Sequence, residues 1–230
     1  MKTLGLIGGT GWHSTADYYL TINRLINERA GGLHSAKLFL YSVNFEEFKR
    51  LGDENNWEKI AELLSDAAQK LEHAGAECLV ICANTLHVVA DQIQDAIKIP
   101  ILHIADATGR ELVKQNIKTA GLLGTKTTME RDFFKTVLHT YGINVVIPDP
   151  ADREFIHHTI FAELGKDIFT PETKKRYLEI IGRLQQNGGE GIVFGCTEIP
   201  LLIKPEDCAA ATFDTMQIHA QCAADFALSE

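Results

Sequence analysis

No apolar run in this 230-residue chain approaches the roughly 20 residues needed to cross a bilayer; the longest, such as "CLVIC" and "GIVF", cover a handful of positions. Only a few apolar residues separate Met1-Lys2 from Gly8-Gly9, so no signal peptide is read, and the expectation is a cytoplasmic protein without a membrane partner. Cysteine is sparse and odd in number: five residues, at 78, 82, 196, 208 and 222, with no CxxC spacing. That pattern excludes a disulfide framework and a zinc finger and leaves reduced thiols. Positive charge is short as well, with 22 Lys and Arg against 31 Asp and Glu and no long basic run, which counts against nucleic acid as a partner. Gly5, Gly8, Gly9 and Gly11 miss the GxGxxG spacing, and the second strand ends in Val43-Asn44 without an acidic ribose ligand, which argues against a dinucleotide. His87 and the pair His157-His158 have no companions at metal-ligand spacing, so neither a metal nor a cofactor is expected.

What the chain does have is 45% hydrophobic and 23% charged residues, the ordinary balance of a globular protein long enough for one domain or two small ones. Strand-like runs at 2 to 7, 37 to 43, 78 to 82, 99 to 104, 118 to 123, 144 to 147, 191 to 194 and 210 to 213 alternate with helical patterns, which predicts stacked βα units and parallel sheets. Residues 57 to 73 place Trp57, Ile60, Leu64, Ala68 and Leu71 on one helical face after Asn56 as cap, and 129 to 141 reads as a second helix stopped by Gly142.

The sequence also resembles itself. "KTLGLIGG" from Lys2 matches "KTAGLLGT" from Lys118, "AECLVICANT" matches "GEGIVFGCTE", and "IADAT" around Asp106 pairs more weakly with "TFDTM" around Asp214, at offsets of 116, 113 and 108. Three matches in one order predict a duplicated four-stranded unit. The expected division is residues 1–104 plus 211–230 as one α/β domain and 105–210 as its repeat, with the motif-bearing strand ends meeting at an interdomain cleft. The same alignment sets Ala83, not Cys82, opposite Cys196.

Residues just after parallel strands open the next helix with free backbone N–H groups. Asn84-Thr85, Thr197, the Thr125 and Thr128 pair, and the turn containing Gly9 and Thr10 occupy such places, which points to a cleft that holds a small anion such as a carboxylate. A thiol there is expected to ionise near neutral pH, and Cys196, between Gly195 and Thr197, fits best. Asp106 and Asp214 read as helix caps.

Taken together, "GLIGGTGWHST", "NTLH", "LLGTKTTM", "FGCTEIP" and "FDTMQIHA" resemble the aspartate/glutamate racemase family, the PLP-independent amino-acid racemases, over essentially the whole chain. The resemblance implies two pseudo-symmetric, doubly wound α/β domains, a homodimer, an amino-acid substrate, no cofactor and one catalytic cysteine from each domain. Inverting an α-carbon needs one group to remove a proton from one face and another to deliver one to the opposite face. The second cysteine of the pattern is present as Gly195-Cys196-Thr197; the first is replaced, since Ala83 stands directly before Asn84-Thr85. Three readings stay open: a deliberate replacement made to trap substrate; a natural member in which Cys82, through a local bulge, or a water substitutes; and a one-thiol relative like the arylmalonate decarboxylases, which resemble these racemases. For an acidic substrate side chain the resemblance points to the loop after the second strand, where Lys49 and Arg50 are the candidates, with Lys126 and Lys166 behind them.

Overall fold

Short leucine- and valine-rich runs separated by amphipathic segments fold, in a computed structural model that describes residues 1–229, into two parallel sheets flanked by helices. The strands are β1 (Leu4–Gly8), β2 (Leu38–Ser42), β3 (Cys78–Ile81), β4 (Thr119–Gly124), β5 (Asn144–Val146), β6 (Gly191–Gly195) and β7 (Ala211–Asp214). The helices are α1 (Trp12–Ala30), α2 (Phe45–Asp53), α3 (Trp57–Ala74), α4 (Ala90–Ala96), α5 (Ile104–Lys114), α6 (Lys126–Glu130), α7 (Asp132–Thr140), α8 (Pro150–Ala162), α9 (Pro171–Gln186), α10 (Ile199–Leu202) and α11 (Thr215–Leu228). Contacts divide the chain into one unit of Met1–Ile104 with the chain from His219 onward, and a second of Ala105–Ile218.

In the first unit the strand order is β2-β1-β3. The expected fourth strand at 99 to 104 shrinks to one bridge, Ile101 to Leu79. The Leu79 N–H donates to Pro100 O at 2.9 Å and the Leu102 N–H to Leu79 O at 2.8 Å, but Pro100 has no N–H to give, the outward Ile101 N–H donates to Gln94 Oε1 at 2.9 Å, and the chain then turns into α5. In the second unit the order is β5-β4-β6-β7, the same path with its last strand complete. β7 pairs with β6 and Thr215 Oγ1 donates to the Phe194 carbonyl at 2.8 Å, so the chain rejoins the first unit within α11, later than the expected residue 211.

Side chains alternate across each strand, and one face of each sheet is covered by a helix, α3 before β3 in the first and α9 before β6 in the second. Ile7, Leu79 and Ile81 pack against Ile60, Leu64 and Leu71 of α3. Leu123, Ile192 and Phe194 pack with Tyr177, Ile181 and Leu184 of α9. α3 is capped as the sequence predicts, with Asn56 accepting from the Lys59 N–H at 3.2 Å, and Gly75 ends it at φ 103°.

The same local bonds recur in both sheets. Glu77 Oε2 accepts from the Thr3 N–H at 2.6 Å while its own N–H donates to Thr3 O at 2.8 Å. Glu190 repeats this with Thr119 at 3.2 and 2.9 Å. Gly5 and Gly121 also match, because a Cβ at either would lie 3.3 or 3.1 Å from an atom of Leu71 or Leu184, the last buried leucines of α3 and α9.

The helix expected from 129 to 141 is broken at Arg131, whose backbone is extended at ψ 156°. The break has a packing reason. Met129 belongs to the core beside β4 and β6, whereas Phe134 and Leu138 are fully buried outside that cluster, and one straight helix would not serve both.

Three histidine rings gather in the first unit. His219 is fully buried between Tyr18 and Leu102: its Nε2–H donates to the Leu102 carbonyl at 2.6 Å, which leaves Nδ1 to accept from the Tyr18 hydroxyl at 2.9 Å. The His87 ring lies 5.7 Å from it, and the His103 ring 4.6 Å from His87. Burial, followed by the neighbouring His103, pushes His219 down to about 4. The unfolded chain therefore binds the proton first as pH falls. Stability is expected to drop by about 3 kcal/mol between pH 7 and pH 4 on account of His219 alone. Urea midpoints across that window measure it, and His219→Gln, which keeps the Nε2-side donor, should flatten the slope.

Candidate active site at the strand ends

In a sheet ordered β2-β1-β3 the connections that follow β1 and β3 leave in opposite directions and open a crevice at the carboxyl ends. That rule selects four short segments. Gly8 to Gly11 and Cys82 to Thr85 follow β1 and β3; Thr125 and Cys196 to Glu198 follow β4 and β6.

At the second sheet, Cys196 is partly buried and lies on the face packed by α9. Its Sγ–H donates to Glu198 Oε2 at 2.8 Å, and the Thr197 hydroxyl donates to the same oxygen at 2.9 Å. Desolvation, and after it the Glu198 carboxylate, hold the thiol well above its ordinary value. The expectation of a ready thiolate is thereby corrected. The helix after Cys196, α10, spans only four residues, and the N–H groups of Thr197 and Glu198 pull the thiol down by less than burial and carboxylate push it up. The result is a stored proton facing a base. Glu198 was visible in "FGCTEIP" but carried no assigned role; its position two residues after the cysteine was the signal.

Gly195 and Gly124 let the strand ends close up, since a Cβ at Gly195 would lie 2.9 Å from Leu123 O and 3.0 Å from Thr128 Cγ2. Thr125 caps α6, its Oγ1 accepting from the Thr128 N–H at 3.3 Å. Thr128 is fully buried with its hydroxyl 3.1 Å from that of Thr125, which makes it a brace for the cap.

At the first sheet, Gly9 has φ 95° and sits so close to β2 that a Cβ would lie 2.2 Å from Val43 O. Its N–H donates to Thr15 Oγ1 at 2.8 Å, so the donor expected from this turn is already engaged. Thr10 differs: its hydroxyl oxygen is buried and has no hydrogen-bond partner. Such a group costs about 1–3 kcal/mol unless something bonds it, and it is the kind of atom a bound ligand satisfies.

Ala83 packs on the face covered by α3. Cys82 is 1% exposed, with its sulfur 3.9 Å from the Val80 carbonyl, and burial raises its thiol strongly. Pairing runs from Leu4 and Cys78 to Ile7 and Ile81 with no extra residue, and the Cys82 N–H still bonds Ile7 O at 2.9 Å. The bulge that would bring Cys82 to the place of residue 83 is absent. Asn84 is buried, and Thr85 opens the short 3-10 segment Thr85–Val89.

The cationic candidates hold neighbours on the surface. Lys49 pairs with Asp53 at 2.5 Å and Arg50 with Glu54 at 3.5 Å along α2, Lys126 pairs with Glu154 at 2.8 Å, and Lys166 is exposed. Asp214 caps α11, accepting from the Met216 N–H at 2.9 Å. Asp106 does not cap: it lies in the first turn of α5, bound by Arg110 at 2.5 Å and by the Tyr141 hydroxyl. Among the described residues no group of three or more His, Cys, Asp or Glu side chains could hold a metal ion, and no helix is long and apolar enough to cross a membrane.

A crystal structure of a provisionally assigned Asp/Glu racemase from Yersinia pestis is similar to the chain at 48% identity and a TM-score of 0.95, with all of both chains covered. A crystal structure of an aspartate racemase homologue from Pyrococcus horikoshii OT3 is similar at 36% identity and 0.87, again over 100% of both chains. The broad specificity amino-acid racemase RacX of Bacillus subtilis is 33% identical over 92 residues, which is 40% of this chain and only 40% of that protein's length. A family model described as Asp/Glu/Hydantoin racemase matches residues 7–223, a span that includes each of the strand ends above. With that match laid over this geometry, the chain belongs to the Asp/Glu/hydantoin racemase family.

Proposed function

We propose that this protein exchanges, and in doing so racemises, the α-hydrogen of an amino acid without a cofactor, with Cys196 as the acid/base and Glu198 as the group that relays its proton. The observation that carries the reading is the 2.8 Å bond from the Cys196 thiol to Glu198 at the end of a central parallel strand. A thiol held protonated is a proton donor to a carbanion. When its proton passes to Glu198, the thiolate left behind takes the α-proton from substrate. The substrate's α-carboxylate would be held by donors at Thr125 and Thr197, which follow strands of the same sheet as Cys196.

Ala83 favours a specific form of this reading. Its methyl carries no exchangeable proton, so Cys196 serves one face of the α-carbon, and solvent exchange outpaces inversion. Lys49 and Arg50, already paired on α2, impose no acidic side chain, which supports broad amino-acid use.

The test is incubation of the unmodified protein in D2O with the L and D forms of aspartate, glutamate and a neutral amino acid, following the α-hydrogen signal by NMR. Loss of that signal faster than loss of optical activity is expected. Saturable binding with no exchange on any substrate would reject the enzyme in favour of an amino-acid-binding protein.

A further inference from the structure

His87 lies one turn beyond Ala83 and is 2% exposed. Its Nε2 accepts from the Ile104 N–H at 3.3 Å, so the ring proton sits on Nδ1, which donates to the Ala83 carbonyl at 2.8 Å. The Ala83 N–H is occupied too, bonding Ile81 O at 2.8 Å. Residue 83 is therefore held at both its backbone polar groups just where the strand ends. In a trans peptide the carbonyl and the following N–H point in opposite directions within one plane, so pinning Ala83 O also sets the direction of the Asn84 N–H.

We propose that His87 is a positioning residue: it fixes the peptide plane between residues 83 and 84, and with it the direction of the side chain at 83 and of the Asn84 N–H. The inference rests on the reading of these strand ends as the reactive site. The surroundings suit a fixed, neutral ring. His103 and His219 pack against it with their rings 4.6 and 5.7 Å away. Burial, then these two neighbours, hold His87 well below its ordinary value. A protonated ring would carry hydrogens on both nitrogens and could no longer accept from Ile104.

Two variants separate the two bonds, each made in an Ala83→Cys background so that the side chain at 83 reports its own orientation. His87→Asn places an amide N–H near the position of Nδ1 and keeps the bond to the residue-83 carbonyl; His87→Gln reaches the position of Nε2 and keeps the acceptor for Ile104. The probe is iodoacetamide, with alkylation of the introduced thiol timed by peptide mass, beside amide exchange at Ile104 and the α-deuteration rate. His87→Gln is expected to change the alkylation rate by about fivefold or more, the equivalent of one net hydrogen bond, and His87→Asn to leave it near the starting value. Ile104 exchange should respond in the opposite order. kcat for α-deuteration should fall by about tenfold or more in the Gln variant and not in the Asn variant.

Equal alkylation in the Asn and Gln variants overturns the positioning role, even where α-deuteration continues. Split alkylation with no α-deuteration in any variant leaves positioning intact and rejects the enzymatic reading instead. Should His87→Gln fail to fold, the Asn variant still decides, because it must speed Ile104 exchange while leaving alkylation unchanged.

Discussion

Replacing Ala83 with cysteine is expected to raise the rate of amino-acid racemisation by about 10²-fold or more, the usual contribution of one positioned general acid or base. The physical ground is the missing proton. An α-carbanion formed by Cys196 can be reprotonated by the same thiol, which returns the starting enantiomer, or by a group serving the other face, which inverts it. Alanine supplies no such group, and Cys82, buried on the opposite face of β3, cannot take its place. The new thiol would stand where the family pattern has its first cysteine, on a backbone already held by bonds to Ile81 and His87. Chiral chromatography of product against time measures the gain. A variant that folds with an unchanged urea midpoint but racemises no faster would show that residue 83 is not the second acid/base position.

The second large effect is at Cys196. Cys196→Ala is expected to lower α-hydrogen exchange by about 10²- to 10⁴-fold, since in the proposed mechanism both abstraction and return of the proton pass through its sulfur. Glu198→Gln should act differently. Removing the carboxylate removes the second largest influence that raises the thiol, so Cys196 titrates at lower pH while its immediate proton acceptor is lost. The expected result is a reduced exchange rate at neutral pH whose alkaline limb moves down the pH scale. Exchange rates in D2O from pH 6 to 10, read with ultraviolet absorbance of the thiolate, test both parts. An unchanged pH profile in Glu198→Gln would remove Glu198 from the proton path and leave it a structural partner of Thr197.

The fold was legible because its signals are local. Apolar runs marked β1, β3, β4 and β6 to within one or two residues, and Asn56 marked the start of α3. The 99 to 104 segment misled because its composition is that of a strand, while Pro100 lacks a donor and α5 begins at Ile104, so pairing with β3 stops at the two bonds either side of Ile101. The helix at 129 to 141 misled because periodicity reports which residues are buried, and not that Phe134 is buried outside the cluster that holds Met129.

At the site, the sequence by itself determined the candidate segments, the cysteine at 196, the alanine at 83 and the opposite facing of Cys82, because two-residue alternation and an internal repeat require nothing beyond chain order. Only the tertiary structure decided the charge state of Cys196, the engagement of the Gly9 amide, the surface pairing of Lys49 and Arg50, and the role open to His87. Each depends on how far a group is removed from water and on which partner stands within about 3 Å, and neither quantity is carried by spacing along the chain.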